Sequence, residues 1–222
     1  MNVRNRLLSL LSRVLSLILL IAFLSLYAAQ AENPAAFVCY YHVQAGILLI
    51  FVFFLEITAN AIDLRHGARG FPAGLYMPIT LAVFFYCFTS ALLYFSFVLP
   101  AYGRALSLYG HVYAGLLFLL PALDWVLFDE KGTLRWYFGF IFLAYPIFYS
   151  VFMLFRPYIF PAIPLYPDGA QYPYWVFDPE RPLFPLYASL GLLGMFGISM
   201  LLILLNNLFG GKYRKRANDW FR

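Results

Sequence analysis

The stretch YYHVQAGILLIFVFFLEITAN, residues 40 to 60, decides the fold of this protein. Its central part is continuously apolar, whereas a strand of a membrane barrel would alternate between apolar and polar residues. About 20 apolar residues in a helix cross the ~30 Å hydrocarbon core of a bilayer. His42 and Glu56 stand near the two ends of the stretch, where lipid makes ionisable side chains costly. The stretch therefore predicts a membrane-spanning helix with one polar face.

Five further segments of the same kind occur along the chain. Of its 222 residues, 64% are hydrophobic and only 11% are charged, a composition that does not suit a water-facing surface. We predict an all-α, polytopic membrane protein: a single six-helix transmembrane domain over residues 1–210, followed by a basic tail, 211–222. The expected spans are residues 7–29, 36–58, 76–99, 109–128, 134–156 and 184–208.

The first segment also imitates a secretory signal peptide, because Ala29-Gln30-Ala31 resembles a cleavage site. Its apolar run from Val14 to Ala29 is longer than the apolar region of a usual signal peptide, and Arg13 before it can reach the interface by snorkelling. We therefore expect an uncleaved first helix. Removal of residues 1–31 is the alternative.

The basic residues predict an orientation. Twelve of the 15 Lys and Arg residues lie on the side of the chain termini, so the positive-inside rule places both termini in the cytoplasm. A multi-pass protein of a bacterial inner membrane is expected, with membrane lipids as partners and the tail resting on anionic lipid. The basic residues lie mostly between apolar spans and do not suggest nucleic acid. The sequence indicates no oligomeric state.

The polar residues of the second helix share one face. His42, Gly46, Phe53, Glu56 and Asn60 fall within about 40° of His42 on a helical wheel, so this face should point into the bundle. His42 and Glu56 are about 21 Å apart along the axis and belong to separate sites. An interfacial histidine and a glutamate paired with a polar neighbour are the simpler interpretation.

The fourth helix has a similar arrangement. His111 lies near its outer end, at the depth of His42, and Asp124 lies thirteen residues further along. We expect Asp124 to be a polar intramembrane residue like Glu56 and Asn60, unless it simply reaches the inner interface.

Two other features predict packing or covering. The outward loop, residues 157–183, is rich in proline and aromatic residues and is a candidate lid, although a passive interfacial belt is the alternative. A stripe of small residues in the sixth helix predicts close packing against a neighbouring helix. The lid candidates are Tyr172, Tyr174, Trp175 and Asp178, and the stripe is Ala188, Gly191, Gly194 and Gly197.

No motif for a cofactor or a metal is present. The two cysteines, Cys39 and Cys87, lack the CxxC spacing of zinc sites, and GxGxxG, Walker A, HExxH and GxSxG motifs are missing. We predict neither a cofactor nor a metal. Two histidines at one depth leave a b-type haem protein as a weak alternative.

From Leu123 onward the chain reads LDWVLFDEKGTLRW, then LAYPIFY, then QYPYWVFD. It resembles the Pr6Pr family of bacterial integral membrane proteins, which is distantly similar to the androgen-induced membrane hydrolase family of animals. The resemblance is best over residues 111–208. Its matching positions include Asp124, Trp125, Tyr145, Pro146 and Tyr149.

The resemblance implies a six-helix bundle. For the animal relatives it also implies an intramembrane threonine hydrolase of branched fatty acid esters, with a threonine on helix 2 and a histidine on helix 4. His111 is the counterpart of that histidine. The threonine position falls on His42, with Cys39 one turn earlier.

Two functional classes follow. The first is a non-enzymatic bundle, either a lipid-binding or accessory protein or a small transporter that uses the polar face of helix 2. The second is a hydrolase with a lipid ester as ligand, His111 as base, Cys39 or His42 in the nucleophile region, and the aromatic loop as lid. The sequence leaves open whether the protein is an enzyme.

Overall fold

A computed structural model describes residues 5–31, 33–66, 72, 74–102, 108–132, 134–159, 172, 174 and 178–210. Over these ranges the regular structure is entirely helical. The helices are α1 (Arg6–Ala28), α2 (Pro34–Phe37), α3 (Tyr41–Arg65), α4 (Met77–Leu93), α5 (Leu99–Tyr102), α6 (Leu108–Leu127), α7 (Phe138–Phe142), α8 (Ala144–Ile159) and α9 (Phe184–Phe209), and a π-helical turn, Tyr94–Val98, joins α4 to α5.

Six stretches of helix are long and apolar enough to cross a membrane. They are α1, α3, α4 with its π-helical turn, α6, the pair α7 and α8, and α9. The predicted all-α, six-span membrane fold is confirmed. The basic tail, 211–222, lies outside the described residues.

The second span differs from its predicted bounds, because it covers Tyr41–Arg65 instead of 36–58. The cause is local. The Asn33 side chain accepts hydrogen bonds from the backbone amides of Ala35 and Ala36 and so caps the short helix α2, after which the chain turns before α3 begins. Cys39 therefore lies in the turn between α2 and α3, and the helical spacing assumed between Cys39 and His42 does not apply.

The described helices surround a core that is apolar at its middle. Helix α1 packs against α3 and α6, and α4 packs against both of these. Leu20, Leu49, Phe85 and Leu117 are at most 2% exposed and fill the centre. This apolar layer separates two polar regions. We call the region around Arg13, Glu56 and Asp124 the charged end of the bundle and the region around His42 and His111 the histidine end.

Helix α9 lies at the margin of the bundle, against α7 and α4. Cβ atoms added at Gly191, Gly194 or Gly197 would meet no described atom within 4 Å. The prediction that this stripe packs against a neighbouring helix is therefore wrong within the described part of the chain. The stripe faces outward because α9 uses other residues, among them Ser199 and Ile203, to contact Gly139 of α7.

Candidate functional site

At the charged end, Arg13 of α1 binds Asp124 of α6. The Arg13 side chain is 1% exposed. Its Nε donates a 2.8 Å hydrogen bond to Oδ1 of Asp124, and its Nη2 donates a 3.0 Å bond to Oδ2. Two parallel bonds between a guanidinium and a carboxylate are the strongest and most directional form of this ion pair. The pair therefore fixes α1 against α6.

Two more carboxylates approach the same guanidinium. Oε2 of Glu56, on α3, lies 3.2 Å from Nε, and Oδ1 of Asp129, just after α6, lies 3.4 Å from Nη2. Arg13 is the eighth residue of α1, about 10 Å from the first residue of that helix. These three carboxylates hold the Arg13 side chain inside the bundle, and the expectation that it lies near the lipid interface stays a prediction. We call Arg13, Glu56, Asp124 and Asp129 the ion cluster.

Within the ion cluster, Glu56 is the residue least held by well-directed hydrogen bonds. Its side chain is 1% exposed, yet neither carboxylate oxygen accepts a hydrogen bond of good geometry from the described residues. The backbone amide of Leu75 adds a weaker interaction, and Gly74 lies beside Oε1. Glu56 is thus attracted to Arg13 mainly by charge.

The ion cluster and its surroundings contain more negative than positive groups. The nearby cation is Lys131, whose Nζ donates to the backbone carbonyls of Trp125, Val126 and Asp129. Three ionised carboxylates beside Arg13 and Lys131 would leave one excess negative charge. Asp129 lies outside the spans, and burial together with the charge of Asp124 raises its pKa to about 7. A proton at this site near neutral pH would balance the charge.

The three carboxylates also have the spacing of a cation site, since one oxygen from each lies within 4.8 Å of the others. Carboxylate oxygens are the ligands that hard cations prefer. Here the Arg13 guanidinium supplies the positive charge that a bound cation would supply.

Asn60, one turn from Glu56, is fully buried and donates a 3.4 Å hydrogen bond from Nδ2 to Oγ of Ser9.

At the histidine end, tyrosines surround His42. The imidazole is fully buried, and its Nε2 lies 3.3 Å from the hydroxyl of Tyr27. The ring centroids of Tyr94, Tyr40 and Tyr27 lie 5.0, 5.2 and 5.8 Å from that of His42. The burial of His42 and Glu56 confirms that the polar face of α3 points into the bundle.

Tyr94 connects the two histidines. Its hydroxyl lies 2.9 Å from Nδ1 of His111, while its ring contacts His42 edge to face. Cys39 takes no part in this arrangement, since its Sγ donates to the carbonyl of Ala35. Over the described ranges, the side-chain hydrogen-bond partners of both imidazoles are tyrosine phenols, and neither is a thiol or an aliphatic hydroxyl.

Part of the candidate lid enters the bundle. Tyr174 is 2% exposed and packs in one cluster with Tyr41, Tyr94 and Tyr149. Tyr172 is half-buried, and Asp178 forms an ion pair with Arg181 at 3.6 Å. Trp175 lies outside the described residues. One tyrosine of the loop therefore covers the histidine end.

Comparisons with family models, curated proteins and solved structures find no match. The family expectation consequently rests on the residues quoted for it.

The residues that carry the family resemblance mainly join helices. Trp125 donates from Nε1 to Asn206 of α9, Tyr145 donates to Gln44 of α3, and Tyr149 donates to the carbonyl of Cys39. Pro146 is buried near the start of α8, and only Asp124 belongs to the ion cluster. The sequence analysis missed Arg13 and Asp129 as members of the ion cluster. It also missed the tyrosines around His42, which lie in spans where aromatic residues are common.

Proposed function

We propose that the protein is a small, non-enzymatic membrane transporter that moves protons and uses the ion cluster as its proton-binding site. One observation carries this proposal: Arg13 lies within the bundle between carboxylates from α3, α6 and the segment after α6. Ionisable groups inside membrane spans are expensive and mark ion or proton pathways. A protein that needed only a stable core would be served by apolar residues at these positions.

Glu56 is the residue that changes its state in this proposal. Protonation of Glu56 removes the charge that attracts it to Arg13, while the two hydrogen bonds between Arg13 and Asp124 remain. Of the two ion pairs between α1 and α3, that of Arg13 with Glu56 is then lost and that of Arg6 with Asp63 remains, while α1 stays joined to α6. A protonation event thereby favours a second arrangement of α3, which a transporter requires.

The apolar layer supports a transporter over an open channel. Leu20, Leu49 and Leu117 are at most 2% exposed and separate the ion cluster from the histidine end. A path between the two ends therefore needs a change of conformation. This arrangement is expected of a protein that exposes its site to one side of the membrane at a time.

The geometry gives less support to the hydrolase. Nucleophilic catalysis needs an oxygen or sulfur nucleophile within hydrogen-bond reach of a base. Cys39 donates to a backbone carbonyl, and the described partners of His42 and His111 are phenols. Membership of the Pr6Pr family, a lipid ester ligand and a bacterial inner membrane remain predictions.

Haem binding also has little support. Tyr94 contacts the ring of His42 and bonds to the ring of His111, so a phenol stands beside both imidazoles. A haem with these two axial ligands would have to displace it.

Proton flux in proteoliposomes tests the proposal. The purified chain is reconstituted with a pH-sensitive dye inside the vesicles, and a potassium gradient with valinomycin sets the membrane potential. We expect proton uptake above that of protein-free vesicles and a fall to that level in Glu56→Gln. Glu130→Gln is the matched control, because Glu130 is an exposed acid near the same end. Flux that survives Glu56→Gln, or no flux in the wild type, would contradict the proposal.

A further inference from the structure

We infer that protons enter at the histidine end through a relay of four side chains, His111, Tyr94, Tyr27 and His42. This inference rests on the proposed proton transport and adds its entry route. The relay starts at the surface of the bundle and ends at a fully buried imidazole on the same face of α3 as Glu56.

The first step joins His111 to Tyr94. His111 is half-buried, and its Nδ1 lies 2.9 Å from the Tyr94 hydroxyl. When Nδ1 faces Tyr94, the second ring nitrogen, Nε2, is available to take a proton from water. Histidine changes its charge near physiological pH, which suits an entry group.

The second step depends on Gly110, at the start of α6. A Cβ added at this position would lie 3.1 Å from the Tyr94 hydroxyl oxygen and 2.9 and 3.2 Å from Cε2 and Cζ of Tyr27. The missing side chain lets the Tyr94 hydroxyl and the Tyr27 ring pack against the same position of α6. An alanine here would push them apart, although it would remove no titratable group.

The third step joins Tyr27 to His42, whose Nε2 lies 3.3 Å from the Tyr27 hydroxyl. The other ring nitrogen of His42, Nδ1, has no hydrogen-bond partner among the residues described, and neither has the hydroxyl of Tyr113. The Tyr113 hydroxyl lies against Gly46, where a Cβ would overlap it. Gly110 and Gly46 thus leave room for tyrosine side chains close to the His42 imidazole.

The relay moves protons without any redox change. A proton from water binds Nε2 of His111 while the Nδ1 proton passes to the oxygen of Tyr94. The hydroxyl proton of Tyr94 passes through one bridging water to the oxygen of Tyr27, and the hydroxyl proton of Tyr27 passes to Nε2 of His42. Tyr94 and Tyr27 each give up one hydroxyl proton and receive another, so both phenols end in their starting state. The net result is one proton gained by His42.

Among the described residues, the aromatic rings that contact His42 are phenols. They are Tyr27 from α1, Tyr40 from the turn before α3, Tyr94 from the π-helical turn and Tyr113 from α6. None of the carboxylates in the described ion pairs lies beside it. A protonated imidazole would be stabilised here by aromatic faces and a phenol oxygen, not by a counter-ion.

Nitrogen NMR of the histidines tests the relay. The chain has three histidines, so 15N-labelled histidine in protein reconstituted into lipid nanodiscs gives few signals, and His66 serves as the internal reference. In the wild type we expect the ring-nitrogen shifts of His42 to change on acidification. In Gly110→Ala we expect an altered His42 titration and a proton flux near that of protein-free vesicles.

Gly115→Ala is the matched control, because it makes the same change in the same helix and its Cβ would meet nothing within 4 Å. Tyr94→Phe is a second test that keeps the ring and removes only the hydroxyl. An unchanged His42 titration in both Gly110→Ala and Tyr94→Phe would overturn the relay. That outcome differs from failure of the proposed function, which is judged by the flux of wild type and Glu56→Gln alone.

Discussion

At the scale of residues, the four members of the ion cluster contribute unequally to stability. Arg13 is the cation that all three carboxylates approach. Its removal would leave three buried or part-buried carboxylates with Lys131, which is bound to backbone carbonyls. Removal of Glu56 has the opposite effect, because it abolishes the excess negative charge and breaks no well-directed hydrogen bond.

We therefore expect Arg13→Gln to lower the free energy of unfolding by about 3–5 kcal/mol, the usual cost of breaking a buried ion pair from one side. Glu56→Gln should lower it by less than Arg13→Gln, because it breaks no well-directed hydrogen bond. The double variant should recover part of the loss of Arg13→Gln. Denaturant unfolding in detergent, followed by circular dichroism, measures all three. Equal losses for Arg13→Gln and Glu56→Gln would contradict this account of the charges.

The sequence predicted part of this site. The helical wheel correctly placed His42, Glu56 and Asn60 on a buried face, because the face of a single helix depends only on local spacing. It did not predict the pairing of Arg13 with Asp124, which are 111 residues apart. Local periodicity shows which side of a helix is buried but does not show which helix it meets.

At the scale of elements, the turn between α6 and α7 is packed against the end of α9. Gly132 has a φ of +95°, in the left-handed region that favours glycine. A Cβ on Gly132 would lie 2.8 Å from Cα of Gly210, the residue that follows α9. Two backbones therefore approach closely at the charged end, where Trp125 also bonds to Asn206.

Gly132→Ala should cost about 1–2 kcal/mol for the left-handed backbone alone, and the contact with Gly210 adds to this. Gly194→Ala is the control within α9. It should be neutral or stabilising by up to about 1 kcal/mol, since alanine is the better helix former and its Cβ would meet nothing within 4 Å. Thermal unfolding in detergent compares the two. A Gly132→Ala protein as stable as the wild type would refute the predicted strain.

The existence of the spans was easier to predict than their ends. A long apolar run identifies a span by composition, and the predicted ends of the first, third, fourth and sixth spans lie within a few residues of the observed ones. The turn at Cys39 was missed because it depends on the cap formed by Asn33. The π-helical turn that brings Tyr94 to His111 has no signal in hydropathy either.

At the scale of the whole molecule, the bundle has two chemically different ends. The buried ion cluster lies at one end, and the histidines with their tyrosines lie at the other. The excess of basic residues on the side of the termini predicts that the charged end faces the cytoplasm. In that orientation, the proposed relay takes its protons from outside.

Cysteine labelling tests the orientation with a matched pair of variants. Glu130 and Glu180 are exposed glutamates near the charged end and the histidine end. In a Cys39→Ser background, Glu180→Cys should react with a membrane-impermeant maleimide in intact cells, whereas Glu130→Cys should react only after permeabilisation. The native Cys87 is fully buried and should contribute no signal. The reverse pattern would show that the histidine end faces the cytoplasm.

The depth of Arg13 has a consequence for biosynthesis. An arginine at the centre of a span costs roughly 2.5–3.5 kcal/mol on insertion scales, and Arg13, about 10 Å from the start of α1, carries part of this cost until its partner arrives. Asp124 is made 111 residues later. At roughly 5–20 residues per second, the ribosome needs on the order of 5–20 s to make that partner. During this interval the nascent α1 must wait in the insertion machinery or at the headgroups, and the bundle closes only when α6 delivers its carboxylate.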